Sequence, residues 1–436
     1  MGRGSSPGLT VPRTAPRRSR PLGALAGAFA LLLAGCGTGP APAPPPAVPT
    51  ASVAADSAAQ SLVDGLLRAG RAGDRAGFDA GVSTADPSFA DRARALYGNL
   101  SALPWDLLEI RLDPRREPVT SRVAAVLGAD AWQQRAAVRW RLTGETATAE
   151  HTVWLTFAPD GGRPRLAGTA APADPDDPDD AHRPQPVWWT GPVTAAARSG
   201  VTVVVGSGQP APAWLDRAVA AAAVVRERVG AGAAADWDGA LVVEVPASRA
   251  AFEAVLGAEP GSYAGIAAVA LAEGPADAAL RVVVNPEVSR ALAPLGVAVV
   301  LTHETVHVAT RSVDSPAPTW LVEGLADEVA LAAHPDAAAG VAGPLLARVR
   351  AGGAPDALPG DEAFLAGADD LAVSYAEAWT ACRHVVDTWS AEDLQRLYTA
   401  VDGGQGLDAA LQDVLGTDEP RFTAGWRAAL VRQAGG

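Results

Sequence analysis

The stretch Val299-Val300-Leu301-Thr302-His303-Glu304-Thr305-Val306-His307 decides how the rest of the chain is read. The chain holds only six histidines in 436 residues, and chance would place His-Glu-x-x-His in it about 0.003 times. Pro294 suits a first helical turn, and the apolar run from Val297 to Leu301 predicts a buried helix. Residues four apart share a helix face, so His303 and His307 point toward one ion. Glu304 lies about 100° round the axis, beside the ion rather than on it. There it can take a proton from water that the metal activates. The plainer alternative is a helix with two satisfied core histidines.

Two histidines leave zinc short of a ligand set, so a third ligand is expected. After the turn Asp314-Ser315-Pro316-Ala317-Pro318 comes Thr319-Trp320-Leu321-Val322-Glu323-Gly324-Leu325-Ala326-Asp327-Glu328. Fifteen residues separate His307 from Glu323, enough for a reversal and a second helix packed on the first. The pairing resembles the gluzincin zinc metallopeptidases, in particular bacterial peptidase-MA-like families with Trp-Leu-x-Glu-Gly-x-Ala after the histidine helix. That resemblance implies a zincin-type domain with His303, His307 and Glu323 as Zn2+ ligands and Glu304 as general base. It makes Asp327 the residue that orients His303 through its other ring nitrogen. Gly324 and Ala326 match positions where the two helices come close. Ser374-Tyr375-Ala376-Glu377-Ala378-Trp379, Leu394 to Leu397 and Phe422 to Trp426 resemble the C-terminal helices of the same families. The likeness covers roughly residues 200–436. It departs at Asp327-Glu328, where related aminopeptidases carry an aromatic.

An oxyanion donor is usually Tyr or His in this class. Tyr375, preceding a helix, is the candidate, with a half-buried bundle tyrosine as the alternative. His384 could serve instead, but like His334 it reads as a packing residue. Cys382 reads as a buried, inert thiol.

Upstream of the histidine helix, Val201 to Val205, Leu241 to Val245 and Leu280 to Asn285 are strand-like, with a helical stretch between the first two. This predicts an α/β sheet layer for residues 188–436, turning mainly helical after Pro294. Residues 171–187 hold five aspartates between prolines at Asp174 to Asp180 and read as a linker, a cation site being the alternative. Residues 56–170 give helices and then alternating runs at Leu108–Leu112, Ala137–Leu142 and Thr152–Phe157. That order resembles the cone-shaped cystatin and nuclear-transport-factor folds, so the fold class expected is α+β. His151 is expected to be a solvated strand-end residue.

At the N-terminus, arginines precede an apolar run from Leu22 to Ala34 that is too short to span a bilayer. Leu33-Ala34-Gly35-Cys36 resembles the lipobox of bacterial lipoproteins. This implies a signal peptide over 1–35, acylation at Cys36 and a Pro/Ala-rich tether over 36–55. Net charge is −14 with no lysine anywhere. Removing residues 1–35, which carry five arginines and no acid, takes it to −19. Such a balance excludes nucleic acid as a partner. The function expected is a lipid-anchored zinc peptidase at the outer face of a bacterial membrane, acting on a peptide or protein. The alternative is a non-catalytic binding or assembly lipoprotein that keeps zinc in a peptidase-like fold.

Overall fold

A computed structural model describes residues 50–170, 183–275, 277–365, 368 and 370–435. The signal segment, Cys36, the tether up to residue 49 and the aspartate-rich part of the linker lie outside the described residues. The chain is mixed α and β, with two sheets and a helical C-terminal part.

The N-terminal unit opens with α1 (Thr50–Arg71), α2 (Arg75–Asp79) and α3 (Ala90–Ala102). The first helix starts at Thr50, within the 36–55 segment expected as tether. An antiparallel sheet follows in the order β1 (Trp105–Pro118), β2 (Trp132–Leu142), β3 (Ala149–Asp160) and β4 (Arg163–Gly168), with α4 (Ser121–Leu127) between β1 and β2. Period-2 burial explains it: Ala136, Val138, Trp140 and Leu142 of β2 all point into the core. Gly161 and Gly162 both take positive φ in the β3–β4 turn, as a tight hairpin demands.

After α5 (Val187–Thr190) come β5 (Val193–Arg198), β6 (Val201–Gly206), β7 (Leu241–Val245), β8 (Ala268–Ala272) and β9 (Leu280–Val284). Their order is β5-β6-β7-β9-β8. Neighbours among β6, β7 and β9 run parallel, while β8 is an antiparallel edge. Helices α6 (Ala211–Val229), α7 (Arg249–Leu256) and α8 (Pro286–Ala291) connect them and lead to α9 (Pro294–Thr310). The rest is α10 (Thr319–Ala333), α11 (Pro335–Gly352), α12 (Leu371–Thr388), α13 (Ala391–Asp402), α14 (Leu407–Leu415) and α15 (Glu419–Gly435).

This second sheet is buried on both faces, which is why its strands read as continuous valine runs. One face carries Val203, Val205, Val243, Val282 and Ala268, packed with Val297, Val300 and Leu301 of α9. The other carries Val204, Val242, Val269, Leu271 and Val283, which join Trp140, Leu155, Trp188 and Trp189 in one core. The N-terminal unit is thus the second cover of the C-terminal sheet. His151 corrects the sequence reading: it is buried at the seam, its Nε2 2.7 Å from Glu273, a residue 122 positions away.

Candidate metal centre

Helix α9 starts at Pro294, whose fixed φ suits a first turn, and ends where Arg311 adopts a left-handed φ of 51°. The reversal runs through a short turn at Ser312–Asp314, and α10 begins at Thr319, whose N–H donates to Asp361 at 2.9 Å. The two helices lie side by side, and His303, His307 and Glu323 converge between them. Nε2 of His303 is 3.0 Å from Nε2 of His307 and 3.2 Å from Oε2 of Glu323. The third side of the triangle, His307 Nε2 to Glu323 Oε2, is 3.3 Å.

That triangle tests whether a metal fits. A tetrahedral zinc with arms of about 2.0–2.1 Å spaces its ligand atoms about 3.3 Å apart. Two imidazole nitrogens and a carboxylate oxygen at these separations fit the ion. The far ring nitrogens are engaged elsewhere, which turns both Nε2 atoms inward. His303 Nδ1 meets Asp327 Oδ1 at 2.8 Å, and His307 Nδ1 meets Ser312 Oγ at 2.7 Å.

The cluster attracts positive charge. Burial alone would lower the His303 pKa, but Asp327, Glu323 and Glu304 outweigh it and hold the ring well above its ordinary value. Burial opposes ionisation of Glu323 too, yet the two histidines bring its carboxyl down to about 2. Glu304, fully buried one residue from His303, is pushed up by burial, with His303 and His307 pulling the other way. The backbone amide of Ala270 in β8 faces its carboxylate without closing a full hydrogen bond.

Tyr375 lies inside α12 rather than before a helix, buried, with its ring 6.4 Å from that of His303. Phe364 packs edge-on to it at 5.4 Å. His384 is half-buried on the same helix, but its ring neighbours are Trp389 and Phe422, not the metal cluster. Partly buried His334 ends α10. Gly324 is a close-approach position, though toward α12 and not α9: a Cβ there would stand 2.4 Å from the Ala378 carbonyl and 2.5 Å from Cys382 Sγ. Cys382 is a buried free thiol, its pKa raised by burial. Glu328 accepts from Trp379 Nε1 and Arg383, tying α10 to α12.

Ser312 was not foreseen from sequence. Its only signal is a hydroxyl five residues after His307, and the left-handed Arg311 that swings it back is visible only in the fold. Compared with protein-family models, curated proteins and solved structures, the chain matches none.

Proposed function

We propose that the chain is a zinc-dependent peptidase of the gluzincin type, carried outside the cell on a lipid anchor at Cys36. The observation that supports it is the buried triangle of His303, His307 and Glu323 with Glu304 on the next residue of the same helix. When bound, zinc supplies Lewis acidity toward the scissile carbonyl and the attacking water. Asp327 and Ser312 hold the two rings in the ligating orientation. Glu304 takes a proton from the water as the new C–O bond forms, then passes it to the amide nitrogen as the C–N bond breaks. Tyr375 is the donor for the developing oxyanion. The reading takes the N-terminal helices and antiparallel sheet as a cone-like unit, which the order of helices before a four-stranded antiparallel sheet supports. Among the described residues no helix is long and apolar enough to cross a membrane.

A second reading is a zinc-stabilised binding lipoprotein without turnover. The burial of all three residues, away from bulk water, is the observation that favours it. Glu304 argues against it, because a structural site has no use for a buried carboxylate beside the metal. Metal analysis and a quenched peptide library decide. The parent should bind zinc and cleave, and Glu304→Gln should keep the zinc and lose cleavage. Equal cleavage by both would overturn the mechanism, and zinc binding without cleavage by either would establish the second reading.

A further inference from the structure

The hairpin of β8 and β9 carries the edge strand that faces Glu304, and the tip of that hairpin is held from the N-terminal unit. The Glu150 N–H of β3 donates to the Glu273 carbonyl at 2.6 Å, and the Ala279 N–H donates to the Thr148 carbonyl at 3.3 Å. His151 Nε2 sits 2.7 Å from the Glu273 carboxylate, with the Trp140 ring stacked on the imidazole at 5.3 Å. One turn further, Arg281 of β9 donates through Nη2 to Glu145 at 2.9 Å and through Nη1 to Glu244 at 2.8 Å. Backbone and side chain therefore grip both legs of the hairpin.

Gly274 shows how close the grip is. Its φ is +144°, and a Cβ there would lie 3.0 Å from the Glu150 carbonyl oxygen. Only glycine fits this backbone without strain. Along β8, Val269 and Leu271 sink into the core shared with the N-terminal unit, while Ala268 and Ala270 turn toward α9. Glu273 is three residues from Ala270, about 10 Å of extended chain. A strand fixed at its tip and along one face has little freedom left at the other.

We propose that the N-terminal unit is a clamp that sets the position of β8 against Glu304, with Glu273, His151 and Gly274 as its positioning residues. The catalytic consequence rests on the peptidase reading; the clamp itself does not.

The test is hydrogen exchange on the full chain, read without substrate. In Glu273→Ala and Gly274→Ala, protected amides of Ala268–Ala272 should exchange about tenfold faster than in the parent. Those of α9 should be unchanged, and zinc content should stay at the parent's value. Glu273→Gln, which keeps the hydrogen bond, should restore most of the protection. With a cleavable peptide, kcat should fall about tenfold in the two alanine variants. Unchanged exchange in β8, or an equal rise in β8 and α9, would overturn the clamp. A parent that never cleaves leaves the exchange result intact and sinks only the peptidase reading. Should Gly274→Ala fail to fold, the two Glu273 variants carry the test.

Discussion

Two clusters of buried charge lie on opposite sides of one sheet, and they are balanced differently. The seam cluster brings together Glu145, Glu244 and Glu273 with Arg281 and His151, so it contains its own permanent cation. The cluster between α9 and α10 brings together Glu304, Glu323 and Asp327 with two histidines, and among the described residues no arginine forms an ion pair with any of the three acids. Buried carboxylates without a fixed counter-charge are costly. The first cluster therefore holds its own cation as folded, and the second is a group that could receive one. The contrast separates a charge cluster that joins the N-terminal unit to the second sheet from one that could hold a metal ion.

The largest expected effect lies at the receiving cluster. His307→Ala leaves two ligands of three, so zinc binding and peptide cleavage should both disappear, as metal analysis on the purified protein would show. Retention of stoichiometric zinc would mean that the triangle is not the site.

At the self-balanced cluster the expected loss is of stability. Arg281 is fully buried, and Arg281→Met strips from three acidic side chains the permanent cation that Glu145 and Glu244 bind. Such a change should cost about 3–5 kcal/mol in urea denaturation near neutral pH, and zinc should still bind. A cost below about 1 kcal/mol would show that the seam is solvated.

Next in size is Asp327→Asn, expected to weaken zinc affinity about 10- to 100-fold with the fold intact. Ser312→Ala should act the same way on His307, more weakly, because a neutral hydroxyl polarises the ring less than a carboxylate. If competition with a chelator shows no change in either variant, the rings are held by packing alone.

The smallest effect is a slope. Burial, and then Glu273 nearby, raise Glu244 to about 8 against the pull of Arg281. Its folded pKa lies above the ordinary 4.5, so its contribution is full below about 4.5 and lost as pH rises through about 8. Glu244→Gln should flatten the fall in stability between about pH 5 and pH 8. An unaltered slope would assign that fall to another group.

Much of the receiving cluster was legible in the sequence. Helix spacing puts His303 and His307 on one face with Glu304 beside them, while the likeness of its motif to the gluzincin families singles out Glu323. Ser312 was not legible, because its approach depends on one left-handed residue. Gly324 was legible as a small position but not its neighbour, since α12 arrives from more than fifty residues downstream. The seam was harder still. Proline and aspartate mark 171–187 as a linker, but composition says nothing of whether the parts it joins share a core. The signal was one charged residue in each otherwise apolar strand, Glu244 in Leu241–Val245 and Arg281 in Leu280–Val284. A lone charge there asks for a partner outside the sheet. A fragment from Trp188 onward would lay bare the face carrying Val204, Val242, Val269 and Val283.

The shared core also sets an order of events in synthesis. The N-terminal layer is made first, and the apolar face that later meets Val204, Val242 and Val283 has no cover until residue 284 has been added. At about 5–20 residues per second, the stretch from β4 to the end of β9 takes on the order of ten seconds to appear. For that interval Trp140 and Leu155 belong to a half-built interior, open to any other apolar surface nearby. On the exported-lipoprotein reading the same exposure recurs outside the membrane, so the chain's dependence on a chaperone should be greatest until its second sheet has crossed.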